Sequence, residues 1–181
     1  MIYLMLANGF EESEALVSWD MLLRAGNDVK LVSVTDSLTV IGTHGLKTEA
    51  DMTVKEALAS EKKAQAILLP GGLPGADNLY ESEDCRELIE RVYKDGGLMC
   101  AICAAPSVYG RMGLLKGVKA TCYPSFDRFL TGAVFTDENV TRDGRFLTAK
   151  AMGCTAAFAL EAIRILNGEE TAEKVKNSIF M

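Results

Sequence analysis

The sequence predicts an α/β protein in which helices cover both faces of a mostly parallel sheet. Short apolar runs recur along the chain without the alternation of a half-exposed strand, and amphipathic helical patterns separate them. Such continuous runs are typical of parallel strands buried on both faces. The expected strands are MIYLML (1–6), DVKLVSV (28–34), QAILLP (65–70), GLMCAIC (97–103) and KATCY (119–123).

Helices are expected between these strands because the intervening segments carry helix start and stop signals, such as acidic or Ser starts and Gly ends. The expected helical segments are ESEALVSWDMLLRAG (12–26), SEDCRELIERVYKDGG (82–97) and GCTAAFALEAIRILNG (153–168).

Two segments interrupt the alternation of strand and helix. Asp143 and Gly144 lie between β-type runs and predict a hairpin within residues 133–149. Residues 38–48 predict a second hairpin or an extended excursion.

Composition limits the organisation and the partners of the chain. With 181 residues, 49% of them hydrophobic, we expect a single domain over residues 1–181. A net charge of -6 without a Lys/Arg cluster argues against a nucleic-acid partner. No apolar run suits a membrane span or a signal peptide, so no membrane partner is expected. Five cysteines, an odd number, favour a reduced, cytoplasmic protein.

Cys103 ends an apolar strand and is followed at once by small residues and a helix, in the segment AICAAPSVYG (101–110). This layout is typical of a nucleophile elbow, where a reactive side chain lies at the carboxyl edge of a sheet. The amides at the start of the following helix would favour a thiolate and lower the cysteine pKa. The alternative is a small buried hydrophobe, but ligands bind at such strand ends.

Two further segments provide partners for Cys103. The Gly-rich turn in LLPGGLPGADNL (68–79) predicts that the amides of Gly71 and Gly72, with that of Ala104, stabilise an oxyanion. It matches neither a P-loop nor a dinucleotide fingerprint. Glu14 shares a helical face with Val17, Met21 and Ala25, so its carboxyl group is expected to be buried, with a raised pKa. The alternative is an ordinary acidic residue in a helical first turn.

Other cysteine chemistries fit the sequence less well. Cys100 and Cys103 form a C-x-x-C motif, but the first cysteine would lie inside the strand instead of opening the helix. A zinc site would need more ligands, so no metal is expected. His44 is the only histidine, in a predicted turn that is either solvated or near the pocket, and a Cys–His hydrolase would depend on it alone.

The assembled motifs resemble the ThiJ/PfpI family, in the branch of Parkinson disease protein seven and its bacterial relatives. The resemblance spans nearly the whole chain, and Glu14, Gly72 and Cys103 in that order are its most specific part. It implies a flavodoxin-like α/β/α sandwich, a homodimer, a Cys103 nucleophile or oxidisable thiol, and Glu14 as its acid. Tyr123 and His44 occupy possible pocket positions, and His44 replaces a family arginine. Ala104 replaces the histidine of peptidase-like members, which disfavours protease activity.

The expected activity is a cofactor-independent glyoxalase or deglycase acting on small aldehydes or glycated groups. In this scheme Cys103 attacks an α-dicarbonyl, Glu14 moves the protons, and neither metal nor glutathione is needed. The alternative from a different class is an oxidative-stress sensor or redox-regulated chaperone, in which Cys103 is oxidised to the sulfinate.

Overall fold

The computed structural model describes residues 1–181 and contains eleven strands. Seven strands form the central sheet and the other four form two small two-stranded sheets. The strands are β1 (Ile2–Leu6), β2 (Val29–Ser33), β3 (Thr39–Ile41), β4 (Lys47–Glu49), β5 (Met52–Thr53), β6 (Ala66–Leu69), β7 (Leu98–Ile102), β8 (Lys119–Ala120), β9 (Val134–Phe135), β10 (Val140–Asp143) and β11 (Phe146–Ala149).

Seven α-helices and two short 3-10 segments connect these strands. The 3-10 segments are Asp127–Phe129 and Met152–Cys154. The helices are α1 (Glu12–Arg24), α2 (Val54–Ala59), α3 (Gly75–Glu81), α4 (Glu83–Lys94), α5 (Pro106–Arg111), α6 (Thr155–Asn167) and α7 (Glu169–Ser178). The longest, α1 and α6, have 13 residues each, and none of the seven has the length and hydropathy that a bilayer span requires.

The central sheet has the strand order β10-β11-β7-β6-β1-β2-β5 and is parallel except for the β10–β11 hairpin. Successive side chains of β1 enter two different cores, because side chains alternate across a strand. Leu4 belongs to one core with residues of α1, α6 and α7, whereas Tyr3 and Met5 belong to the other core with residues of α2, α3, α4 and α5. The molecule is therefore an α/β/α sandwich, as predicted.

Four of the five expected strands lie in the parallel sheet within one residue of their expected ends. The prediction for KATCY (119–123) is wrong in length and place. Only Lys119 and Ala120 are extended, and they pair with β9 outside the central sheet. The position beside β7 is taken by β11, the second strand of the predicted Asp143–Gly144 hairpin. The expected hairpin at 38–48 is present as antiparallel β3 and β4.

The three predicted helices are present, and their end signals act as expected. Ser82 caps α4 by accepting a hydrogen bond from the Cys85 amide, and Gly168 follows α6 with a positive φ of 88°. The helix α7 was not predicted, because its sequence is largely polar. It is held through Ala172 and Val175, which are buried in the same core as α6.

Candidate active site

Cys103 lies between β7 and α5, at the carboxyl edge of the central sheet. Its φ of 61° is in the left-handed region, which a residue with a side chain rarely adopts and which costs about 1–3 kcal/mol. Two backbone hydrogen bonds hold it there. The Cys103 amide donates to the Ala149 carbonyl at 2.9 Å, and the Cys103 carbonyl accepts from the Tyr123 amide at 2.7 Å. The turn therefore presents a half-buried sulfur in the manner of a nucleophile elbow.

Glu14 is fully buried and its carboxyl group lies beside the Cys103 thiol. Its Oε2 accepts a hydrogen bond from the Gly71 amide at 2.7 Å, while Oε1 is buried without a nitrogen or oxygen partner. The face of α1 that carries Glu14 is not quite the predicted one. Val17 is exposed, and Ser18 and Met21 continue the buried face.

Gly71 packs against both the acid and the cysteine, and no side chain fits at this position. A Cβ atom on Gly71 would lie 2.6 Å from the Cys103 Cβ and 2.9 Å from Glu14 Oε2. Its amide was predicted to face an oxyanion, and this is wrong because the amide already donates to Glu14. Gly71 thus sets the spacing of the cysteine–glutamate pair.

The amides of Gly72 and Ala104, which the sequence predicts as two oxyanion donors, face the Cys103 sulfur and act to lower the pKa of its thiol. Gly72 reaches this position with a φ of 87°, and a Cβ atom there would lie 2.5 Å from the Glu11 amide nitrogen. Only glycine satisfies both conditions. Two backbone N–H groups therefore lie where they could stabilise negative charge at the Cys103 sulfur. Their catalytic role stays a prediction.

Burial raises the pKa of Glu14 to about 7, which agrees with the expected direction. The expectation for Cys103 is wrong in direction. Burial, followed by the negative charge of Glu14, raises the pKa of the thiol to about 12 and outweighs the two amide donors. The cysteine–glutamate pair therefore loses one proton near neutral pH and retains the second. The retained proton can lie on the sulfur or on the carboxyl group.

A cavity of about 290 Å³ opens directly over Cys103. Its lining is mostly apolar and consists of Thr43, Gly72, Leu73, Cys103, Ala104, Tyr123 and Phe126. Tyr123 was predicted as a pocket residue and does line the cavity. Thr43, Leu73 and Phe126 were missed. Each lies in a loop between elements, where periodicity carries no signal about which side chains meet.

His44 does not line the cavity of this chain, so a role for it in the pocket stays a prediction. Its ring is mostly exposed, and its Nδ1 lies 2.7 Å from Oε2 of Glu12, while its amide donates to Oε1 of Glu12 at 2.6 Å. Glu12 is thereby buried and fully paired, which the sequence did not indicate. Together with Glu11 these residues form a group with the spacing of metal ligands, but Glu12 and His44 already satisfy each other.

Comparison with known proteins identifies the family. Residues 1–165 match the family model described as DJ-1/PfpI. The chain belongs to this family. The resemblance of the chain to ThiJ/PfpI proteins is thereby confirmed, and so is the fold that it implied.

Curated relatives match nearly the whole of this chain. Protein DJ-1 homolog B of Arabidopsis thaliana is 36% identical over 177 residues, which are 97% of this chain and 40% of that protein. The chain thus spans less than half the length of that relative. Glutathione-independent glyoxalase DJR-1.2 of Caenorhabditis elegans is 33% identical over 162 residues, covering 88% of this chain and 84% of that protein.

Solved structures with the same DJ-1/PfpI fold superpose closely. The crystal structure of a C103A mutant of a DJ-1 superfamily protein from Salmonella typhimurium has a TM-score of 0.94 at 31% identity, and covers 99% of this chain and 97% of that one. Oxidized DJ-1 from Toxoplasma gondii has a TM-score of 0.93 at 30% identity, with the same coverage.

Proposed function

We propose that this protein is a cofactor-independent glyoxalase that converts small α-dicarbonyls, such as methylglyoxal, to hydroxyacids, and that it acts on their adducts by the same chemistry. One observation carries the proposal. A fully buried carboxyl group lies beside a strained cysteine at the floor of an apolar cavity, and the two share one proton near neutral pH. Nucleophile and proton carrier are thus adjacent.

In the first step the Cys103 sulfur attacks the aldehyde carbon and the thiol proton passes to Glu14. The forming S–C bond displaces the carbonyl π electrons on to oxygen, and Glu14 returns the proton to that oxygen to give a hemithioacetal. The Gly72 and Ala104 amides, which now face the sulfur, support the negative charge as it moves from sulfur to oxygen.

In the second step the hydroxyl proton moves to the ketone oxygen as Glu14 removes the proton from the former aldehyde carbon, and the electron pair of that C–H bond gives an enediolate. Glu14 then delivers this proton to the neighbouring carbon, which yields a hydroxyacyl thioester on Cys103. Water adds to the thioester carbon, the C–S bond breaks, and one water proton returns to the cysteine–glutamate pair. The net reaction adds one water to methylglyoxal and gives lactate, with no change in the overall redox state.

The test is lactate formation from methylglyoxal without glutathione or added metal. We expect several turnovers by the wild type and none by Cys103→Ser. Cys154→Ser is the matched control, because Cys154 is also half-buried but lies outside the cavity, and it should keep the wild-type rate. Lactate formation that persists in Cys103→Ser would refute the proposal.

A second candidate function is oxidative-stress sensing, and the donors around the sulfur favour it. Cys103 is half-buried and faces two amides and one carboxyl group, which suit the oxygens of a sulfinate. Two equivalents of peroxide would oxidise the thiol, and each peroxide would be reduced to water. Mass spectrometry after peroxide titration tests this candidate. Double oxygenation confined to Cys103, without aldehyde turnover, would favour the sensor over the enzyme.

We also propose that the protein is a cytoplasmic homodimer. Exposed apolar side chains in and beside the β3–β4 hairpin support self-association, with Leu38 39%, Ile41 44% and Leu46 45% exposed. Five free cysteines suit a reducing compartment. Light scattering with size exclusion should give twice the chain mass, and Ile41→Glu should shift it toward the monomer. A monomeric wild type would contradict the proposal.

A further inference from the structure

The cavity over Cys103 is larger than a three-carbon aldehyde requires. Its volume of about 290 Å³ is near the lower end of sites that hold small organic ligands, roughly 300–1,000 Å³. Methylglyoxal bound to Cys103 would leave most of the lining in contact with water. A substrate with a larger apolar group beyond the dicarbonyl would cover that lining.

One wall of the cavity is aromatic. The rings of Tyr123 and Phe126 lie 6.5 Å apart at an interplanar angle of 75°, an edge-to-face arrangement, and Tyr123 is 47% exposed. The wall is fixed relative to the nucleophile, because the Tyr123 amide donates to the Cys103 carbonyl at 2.7 Å. A flat ring placed against this wall would therefore be held at a constant distance from the sulfur.

The other lining residues offer apolar surface and no cation. Leu73 is 49% exposed there, and the Thr43 hydroxyl donates to the Leu73 carbonyl at 3.2 Å, so this hydroxyl proton is already used. No Lys, Arg or His lines the cavity, and the charged group that adjoins the sulfur is the acid Glu14. The cavity therefore suits an uncharged apolar substituent and disfavours a carboxylate.

We propose that the preferred substrates are aryl α-dicarbonyls, with the aryl ring seated against Tyr123 and Phe126. This inference rests on the proposed glyoxalase function. In phenylglyoxal the aldehyde carbon receives the sulfur and the ketone carries the ring. The same two proton transfers and hydrolysis give mandelate, so addition of one water again balances the reaction.

The first experiment compares kcat/KM of the wild type for phenylglyoxal and methylglyoxal. We expect a ratio of about tenfold in favour of phenylglyoxal, since the wall removes part of one ring face from water and aromatic contacts add to that. A ratio of one or below would overturn the inference.

Variants locate the origin of the preference. Tyr123→Ala should lower the phenylglyoxal to methylglyoxal ratio about fivefold, whereas Tyr123→Phe should retain it, because the ring and not the hydroxyl makes the contact. Phe135→Ala is the matched control, since Phe135 is 46% exposed but lies outside the cavity, and it should keep the wild-type ratio. An unchanged ratio in Tyr123→Ala, or a lost one in Tyr123→Phe, would contradict the inference.

A binding measurement separates this inference from the proposed function. Calorimetry on Cys103→Ser with 2-hydroxyacetophenone and with hydroxyacetone, which lack the aldehyde, reports on the cavity without turnover. About tenfold tighter binding of the aryl compound supports the aromatic wall even if the wild type turns over no dicarbonyl, in which case the glyoxalase proposal alone fails. Equal affinities, with methylglyoxal turnover intact, overturn the inference and leave the glyoxalase proposal standing.

Discussion

Glu12 and Glu14 lie two residues apart in the first turn of α1 and are both buried, yet their acidities move in opposite directions. Burial raises the pKa of Glu14 to about 7. Burial also acts to raise the pKa of Glu12, but hydrogen bonds from the His44 ring and from backbone amides, together with the His44 charge, outweigh it and leave this pKa below its ordinary value. Burial alone therefore does not decide which acid carries a proton at neutral pH.

The partners of the two carboxyl groups make the difference. Glu12 meets a titratable imidazole and an amide on the 42–46 loop, so its charge is matched. Glu14 meets one amide, from Gly71, and the Cys103 thiol, so its charge is only partly stabilised. The first arrangement fastens a loop, whereas the second keeps a transferable proton next to a nucleophile.

The largest expected effect comes from neutralising each acid in turn. Glu14→Gln should lower kcat/KM for methylglyoxal by about 10²- to 10⁴-fold, the usual contribution of a general acid–base group. Glu12→Gln should retain activity within about fivefold, because the Glu12–His44 pair that it weakens lies outside the cavity. Lactate assays on both variants make the comparison. Equal losses would show that the two acids do not differ in role.

The pH profile tests the raised pKa of Glu14. Below about pH 7 the cysteine–glutamate pair is fully protonated and has neither base nor thiolate, so kcat/KM should fall about tenfold per pH unit toward pH 5. Above about pH 7 it should reach a plateau. A midpoint near 4.5, the ordinary value for glutamate, would mean that Glu14 is not the titrating group.

Gly71→Ala should separate the acid from the sulfur without changing either group. The added Cβ would overlap with the Cys103 Cβ at 2.6 Å, and misplacement of about 1 Å can cost up to about 10²-fold in rate, so we expect at least a tenfold loss of kcat/KM. Gly153→Ala is the control, because its Cβ would meet nothing within 4 Å. Wild-type activity in Gly71→Ala would contradict the spacing argument.

The free energy of unfolding should show how much the buried Glu14 charge destabilises the folded state. Because the folded pKa of about 7 lies above the ordinary glutamate value of 4.5, this group favours the folded state below pH 4.5, and that contribution is lost as pH rises through 7. The loss is about 3 kcal/mol. Glu14→Gln should therefore raise the free energy of unfolding by about 1–3 kcal/mol at pH 8, with most of the gain absent at pH 5. Denaturant titrations at both values measure it, and a pH-independent effect would argue against a buried charge.

The smallest effect is expected for His44. Its ring is outside the cavity and mostly exposed, so His44→Ala should change kcat/KM for methylglyoxal by less than about threefold. Steady-state kinetics against the wild type measure this. A loss comparable to that of Glu14→Gln would place His44 in the reaction after all.

The surroundings of Glu14 could be predicted from the sequence, whereas most of the surroundings of Glu12 could not. The burial of Glu14 follows from helical periodicity, and the exposure of Cys103 at the sheet edge follows from its place at a strand end. The burial of Glu12 depends on Gly42, which passes so close to the Glu12 carboxyl group that a side chain there would overlap with it. Contacts of this kind join distant segments and have no local pattern.

The acidity of Cys103 could not be predicted from its local sequence for a related reason. The small residues and the following helix indicate amide donors, and these donors are present. The opposing contributions, burial by the surrounding loops and the charge of Glu14, arise only when the chain is folded. Likewise, the apolar character of KATCY does not reveal that β11 pairs with β7 in its place.

Gly71 has a consequence for how this protein can diversify. The separation between residues 14 and 103 is set by a backbone atom with nothing attached, and not by the chemistry of either side chain. Different reactive groups can therefore be exchanged at those two positions while the scaffold keeps them adjacent. Replacement of Gly71 would push positions 14 and 103 apart. New activities on this scaffold therefore need this glycine, although it carries no functional group.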